Sequence, residues 1–95
     1  MRLEFSRYVE SDLEAIAEFI AEDNPRRAVT FLCEIRQKIY WIAEHPLVYQ
    51  LRPEIGAEAR LAVVGKYVIL FRALEDCVRF ERVVYGGREL PDLID

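Results

Sequence analysis

Histidine, cysteine and serine, on which most catalytic and metal sites depend, are scarce in this sequence. His45 is its one histidine, Cys33 and Cys77 stand far apart without CxxC spacing, and the serines are at positions 6 and 11. A zinc site requires several closely spaced Cys or His ligands, and a hydrolase triad requires a nucleophile beside a base. The sequence therefore predicts no metal site, no cofactor and no hydrolytic triad. We interpret both cysteines as small apolar residues and His45 as a stabiliser of a helix end.

Long apolar runs are also missing. No stretch approaches the roughly 18 residues that cross a bilayer, and the N-terminal Met-Arg-Leu-Glu-Phe alternates in polarity without an apolar signal core behind it. With 95 residues, of which 53% are apolar, the chain has the composition of one globular domain spanning residues 1–95. We expect a cytoplasmic protein without a membrane partner.

An excess of positive charge is absent too, because the net charge is -4. The charges are unevenly distributed: residues 1–50 are acidic overall, whereas residues 60–88 contain more Lys and Arg than Asp and Glu. Nucleic-acid binding without sequence preference usually needs a broad Lys/Arg surface. We expect no direct sequence-specific binding of nucleic acid by the chain alone.

Two amphipathic helices are predicted in the first half. The first follows a short strand, LEF, and has Ser6, or the Ser-x-x-Glu of SDLE, as its candidate cap. The second begins with Asn24 as its cap and Pro25 in its first turn, and Pro46 stops it. Their apolar stripes are Val9, Leu13, Ile16 and Ile20 in the first helix and Ala28, Leu32, Ile35, Ile39 and Ile42 in the second. Helices joined by so short a turn fold into an antiparallel hairpin.

Three strands are predicted in the second half: RLAVV, GKYVILFR and CVRFERVVY. The segment YVILFR is apolar on both faces, which is typical of a central strand. The predicted fold class is α+β in the order β-α-α-β-β-β, with the helical hairpin packed on one face of a small, mainly antiparallel sheet.

Arginines interrupt these strands and form one candidate site. By strand alternation Arg82 shares a face with Val78, Phe80 and Val84, so it is either buried and paired, with the neighbourhood of Glu81 or a C-terminal carboxylate, or lines a groove. Of these alternatives, the buried and paired Arg82 with a structural role is favoured. Arg60 and Arg72, on adjacent strands, could stand near Arg82 and make an anion-attracting sheet face with it.

Two aromatic residues of the second helix form another candidate site. Trp41 lies on the side of the helix opposite the core stripe, and Tyr40 directly precedes Trp41 in the sequence. Such a tryptophan is either covered by the following loop, LVYQL, or offered to a partner, and the pattern does not choose between the two.

Several segments together resemble the ParE branch of the RelE/ParE toxins of type II toxin-antitoxin systems. They are SDLEAIAEFIAEDNPRRAVTFLCEIRQKIYWIAEHP, GKYVILFR and VVYGGRELPDL, which span most of the chain. The most specific parts are the Asp-Leu-x-x-Ile helix, the NPxxA turn, the aromatic central strand and the final strand followed by Gly-x-Arg-Glu-Leu. The family fold, a helical hairpin on an antiparallel sheet, agrees with the order predicted from periodicity.

This resemblance also bears on function. Toxins of the RelE type resemble ribosome-dependent RNases, which need a Lys/Arg cluster and a proton-transfer group. Here Val68 stands where those members typically have a basic residue after the strand aromatic, and beyond Tyr85 only carboxylates and Arg88 can ionise. The resemblance therefore favours ParE, implying a non-enzymatic inhibitor of DNA gyrase that a ParD-like antitoxin neutralises. An mRNA interferase and a non-toxic interaction module remain the alternatives.

The resemblance and the exposed apolar pattern together give two sets of binding residues. The predicted target-binding residues are Arg88, Glu89, Leu90 and Leu93 in the C-terminal tail. The predicted antitoxin-binding residues are Tyr40, Trp41 and Tyr67.

Overall fold

The computed structural model describes residues 2–87. The elements are β1 (Arg2–Phe5), α1 (Val9–Ala21), α2 (Pro25–Glu44), a 3-10 turn (Pro46–Val48), β2 (Ala59–Val64), β3 (Tyr67–Ala73) and β4 (Cys77–Tyr85). The predicted order β-α-α-β-β-β and the α+β class are confirmed.

The four strands form one sheet in the order β1-β4-β3-β2. Strand β1 runs parallel to β4, and the β2–β3 and β3–β4 pairs are antiparallel. The apolar segment of β3 is therefore central, as predicted. The turn between β2 and β3 uses Gly65 at a φ of 59°, a left-handed conformation that favours glycine.

The start of α2 agrees with the prediction, whereas the start of α1 does not. The Asn24 side chain accepts a hydrogen bond from the Arg27 amide at 3.1 Å, with Pro25 in the first turn. Helix α1 has Tyr8 at its N-cap without a side-chain cap. The prediction of Ser6 as the cap was wrong, because the Ser6 hydroxyl instead accepts from the Tyr8 amide and donates to the Glu81 carbonyl at 2.6 Å. Ser6 thus attaches the start of α1 to β4.

The core lies between the helical hairpin and one face of the sheet, which we call the helix-side face. Both stripes contribute, but Ile20 and Leu32 are only partly buried, and Phe31 takes a buried position that the prediction gave to Leu32. Phe31 packs against the Tyr67 ring with 5.6 Å between centroids. On the opposite, outer face, a smaller cluster joins Ile55 to Ala59 and Leu70.

A β-bulge at Glu81 changes the facing of the second half of β4. Phe80 lies opposite Phe71, yet Arg82 lies opposite Leu70. Because Phe71 and Leu70 are consecutive, they point to opposite faces of the sheet. The prediction that Arg82 shares a face with Val78 and Phe80 was therefore wrong: Val83 continues the helix-side core after the bulge.

Candidate functional site

Arg82 forms a bidentate ion pair with Asp12 of α1. Its Nε and Nη2 atoms donate to the two Asp12 carboxylate oxygens at 2.8 Å each, and its guanidinium lies 4.9 Å from the centroid of the Tyr8 ring. The same carboxylate accepts the Val83 amide at 2.9 Å. These hydrogen bonds raise the pKa of the Arg82 guanidinium above its ordinary value, against the opposing effect of burial. Arg82 is thus paired, as favoured from the sequence, but its partner is on α1.

Arg72 belongs to a charge network on the outer face. Its Nε donates to Glu81 Oε2 at 2.8 Å, and the same oxygen lies 3.2 Å from Arg79 Nε. Arg79 also contacts Glu4 of β1 at 3.3 Å. The Glu81 side chain is largely buried between the two arginines, so the positive charge on this face is balanced locally.

Arg60 lies on the other side of the sheet. It pairs with Phe71 in the β2–β3 register, which places its side chain on the helix-side face. There its guanidinium donates to the Tyr49 backbone carbonyl. Arg60, Arg72 and Arg82 are therefore not brought together: one is on the helix-side face, one on the outer face, and one pairs with α1. The predicted anion-attracting sheet face is not formed.

The three predicted antitoxin-binding aromatics are exposed to different extents and line different grooves. Tyr40, 60% exposed, lines a groove with Phe5 between β1 and the two helices. Trp41, 44% exposed, lines a second groove between α2 and β2. Tyr67 lines a third, with Phe19 and other residues. The structure thus keeps all three at the surface without joining them into one patch.

Trp41 is partly covered by the following loop and partly open. Its ring stacks on His45 with 4.3 Å between centroids and meets the edge of Tyr49 at 6.1 Å. His45 Nδ1 lies 3.0 Å from the Trp41 carbonyl at the end of α2. The loop thus covers part of Trp41, with Tyr49 as the covering residue, and partner binding at the exposed part stays a prediction.

Two features, a metal-binding cluster and a membrane-spanning helix, are absent from the described part of the chain. Within residues 2–87, no group of three His, Cys, Asp or Glu side chains is placed to hold a metal ion. None of the helices in that range is long and apolar enough to cross a membrane. Cys33 is exposed and Cys77 is buried, both as free thiols.

The comparison with protein families identifies the chain. A model described as "ParE toxin of type II toxin-antitoxin system, parDE" matches residues 3–90. The chain belongs to the ParE toxin family. A search among curated proteins finds no match.

A solved structure supports the fold of this ParE toxin. A chain of the structure titled "Chromosomal ParDE TA system from P. aeruginosa" is similar with a TM-score of 0.76 and 18% identity, over 90% of this chain and 95% of that chain. At this identity the likeness concerns the fold.

The predicted target-binding residues of this ParE toxin, Arg88, Glu89, Leu90 and Leu93, lie outside the described residues. The structure does describe where the tail begins. The Gly86 amide donates to the Lys66 carbonyl at 2.9 Å, which fixes the end of β4 beside the β2–β3 turn. A Cβ at Gly86 would stand 3.3 Å from that carbonyl oxygen, so the close approach favours glycine.

Asp12 is the important residue that sequence reasoning about this ParE toxin missed. It falls between Val9, Leu13 and Ile16 on the face of α1 that packs on the sheet, and it is 9% exposed. An aspartate within an apolar stripe requires a buried partner. That position was the signal that could have predicted the pair with Arg82.

Proposed function

We propose that this ParE toxin acts by binding DNA gyrase in the cytoplasm, without cleaving RNA, and that a ParD-like antitoxin neutralises it. The observation that supports this proposal most is that the arginines of the strands are already hydrogen-bonded within the chain. Arg60, Arg72 and Arg82 each donate to an acceptor within the chain. They lie in three different environments.

RNA cleavage requires the opposite arrangement. A ribonuclease of this kind directs several positive charges to one phosphate and places a proton-transfer group beside them. To serve such a site, Arg82 would have to leave Asp12 and Arg72 would have to leave Glu81. The first move would leave the buried Asp12 carboxylate without a cation, which is costly, and the second would leave Glu81 with Arg79 alone. Inhibition by binding needs no such rearrangement.

One groove supports the alternative of an mRNA interferase. Tyr67, Tyr85, Lys66 and Arg27 line it together, and Tyr85 is 56% exposed. A tyrosine and a lysine beside one groove are groups that can take part in phosphate chemistry. The Tyr85→Phe variant is therefore tested beside the wild type in every assay of RNA cleavage.

The tail is proposed as the gyrase-binding segment. Arg88, Glu89, Leu90 and Leu93 follow the fixed end of β4 in the sequence and lie beyond the described residues. The expected result is that Arg88→Ala, or truncation after Gly87, abolishes growth inhibition and gyrase inhibition while the melting temperature changes little. Arg26→Ala is the matched control, because Arg26 is an exposed arginine far along the chain from the tail.

Growth, supercoiling and thermal melting are measured for these variants together. A truncated chain that still inhibits gyrase would show that the tail is not part of the target interface. A tail variant with a much lower melting temperature would show that the tail stabilises the fold. Wild-type toxin that inhibits neither growth nor gyrase would favour the non-toxic interaction module.

A further inference from the structure

Strand β1 forms one edge of the sheet. The strand order leaves the side of β1 away from β4 without a neighbouring strand among residues 2–87. The Ser6 amide donates to the Phe80 carbonyl at 2.8 Å, so the even-numbered residues of this segment direct their backbone groups toward β4. Successive residues of a strand direct these groups to opposite sides. The amides and carbonyls of Leu3 and Phe5 therefore point away from β4, where a further strand could bind them.

The side chains of β1 are divided between the two faces of the sheet. Leu3 lies opposite Val78 in the β1–β4 register and packs against the helix-side core, so Arg2 and Glu4 lie on the outer face. Their side chains are 63% and 38% exposed, and the two form an ion pair at 2.9 Å. Phe5, on the same face as Leu3, is 51% exposed. The strand thus offers a positive charge, a negative charge and two apolar side chains.

This strand is complementary to a second copy of itself. In an antiparallel pair with a two-fold axis at Leu3, Arg2 of each copy stands opposite Glu4 of the other. Leu3 then donates to and accepts from Leu3 of the second copy, and the Arg2–Glu4 positions are the closer, non-hydrogen-bonded pairs. Opposite charges at such positions stabilise a strand pair. On the helix-side face, Leu3 and Phe5 meet their counterparts across the axis.

Other registers bring like charges together. Because the outward backbone groups belong to odd-numbered residues, the nearest alternative antiparallel registers place either Glu4 opposite Glu4 or Arg2 opposite Arg2. An in-register parallel pair sets both residues beside their own kind. Like charges directly opposite each other destabilise a strand pair. The charges therefore select the register centred on Leu3.

The helices leave this edge accessible. The groove lined by Phe5 and Tyr40 lies between β1 and the two helices. Tyr40 is 60% exposed and Phe5 is 51% exposed, which indicates that neither helix covers the edge at Phe5. A two-fold axis perpendicular to the sheet places both helical hairpins on the same side of the joined sheet.

We propose that two copies of the chain associate through their β1 edges, with Leu3 on the two-fold axis, so that the two sheets become continuous. The inference does not depend on the proposed action on gyrase or on neutralisation by an antitoxin, because every group it uses belongs to this chain. Strand β1 has only 4 residues, and small interfaces are typical of weak complexes. We expect a dissociation constant between about 10 μM and about 1 mM.

Sedimentation equilibrium of the full-length toxin, free of antitoxin, measures this association. Wild type should change from monomer to dimer as its concentration rises from about 10 μM to about 1 mM. Arg2→Glu and Glu4→Arg each place like charges opposite each other in the Leu3 register, so each variant alone should dimerise about tenfold or more weakly. Arg26→Glu, a charge reversal at an exposed position of α2, is the matched control and should dimerise like wild type.

A mixture of the two variants tests the register itself. In a pair of one Arg2→Glu chain and one Glu4→Arg chain, opposite charges again face each other at both positions. The mixture should therefore form a dimer with one chain of each kind, about tenfold or more tightly than either variant pairs with itself. The chain that carries both substitutions should dimerise like wild type. Melting temperatures show that each variant is folded.

Amide hydrogen exchange of wild type locates the interface without a substitution. The Leu3 amide points outward and should exchange more slowly as the dimer fraction rises with concentration. The Glu4 amide faces β4 and is the internal control, whose exchange should change little. If Glu4→Arg, which loses the contact with Arg79, does not fold, this measurement decides together with Arg2→Glu.

Several results would overturn the inference. One is a wild type that stays monomeric over the whole concentration range. A second is a dimer that Arg2→Glu leaves unchanged or in which the Leu3 amide gains no protection, because that dimer uses another surface. A third is a mixture of folded variants that does not associate. Association that grows beyond a dimer would indicate open-ended pairing and would overturn the closed two-fold pair.

Discussion

Asp12 connects α1 to the bulged part of β4, and this single residue decides where Arg82 points. Strand β1 ends at Phe5, so the second half of β4 has no strand beside it on that side. The Asp12 carboxylate replaces the missing neighbour by accepting the Val83 amide. Its negative charge then requires a cation, which Arg82 supplies from the bulge.

Arg82→Ala should lower the free energy of unfolding by about 2–4 kcal/mol, because Asp12 keeps its buried charge without a counterion. Urea unfolding measures this loss, with Arg26→Ala as the control that should unfold like wild type. The raised pKa of Arg82 keeps its guanidinium protonated throughout the neutral range. The loss should therefore be the same from about pH 6 to pH 9. A fully stable but non-toxic Arg82→Ala would instead assign Arg82 to the target interface.

Trp41→Ala should weaken antitoxin binding by about tenfold or more, because half-exposed tryptophans beside a groove are common interface anchors. Isothermal titration measures the affinity. Val29→Ala on the same helix is the control, since Val29 is 65% exposed and absent from the lining of the Trp41 groove. Tyr40→Ala, in a separate groove, shows whether the antitoxin covers both. Unchanged affinity for Trp41→Ala would mean that its contacts with Tyr49 and His45 are its whole role.

At the scale of elements, α2 holds the core together, since its buried face contacts both α1 and the sheet. Ile39→Ala should lower the free energy of unfolding by about 2–5 kcal/mol, because Ile39 is 3% exposed and its truncation removes apolar contacts from the core. Leu32→Ala should cost less, because Leu32 is only partly buried. Urea unfolding of the pair checks this order. An equal or larger loss for Leu32→Ala would contradict the packing described for α2.

Helices and strands whose apolar residues recur with a clear period could be predicted from the sequence. Details that depend on tertiary contacts could not. The Asn24–Pro25 start of α2 and the central position of β3 follow from local patterns. The bulge at Glu81 does not, because strand alternation carries no sign of an extra residue. Nor does the placement of Ser6, whose partner is 75 positions away. The predicted arginine cluster failed for the same reason: the bulge and the register separate its members.

For the whole molecule, the local basic character of residues 60–88 does not make a basic surface within the part of the chain that the structure describes, residues 2–87. Arg72 and Arg79 share Glu81 on the outer face, and Arg82 is neutralised by a carboxylate from the acidic half of the chain. These internal pairs neutralise positive charge that an RNA-binding protein would expose at its surface. The charge pattern thus agrees with a toxin whose target is another protein.

The most direct test applies purified toxin to gyrase and to translating ribosomes in parallel. Plasmid supercoiling should fall with increasing toxin and recover when antitoxin is added, whereas primer extension on ribosome-bound mRNA should show no new ends. Tyr85→Phe and Arg88→Ala are included in both arms. Codon-specific mRNA cleavage that either substitution eliminates, with supercoiling unaffected, would contradict inhibition by binding.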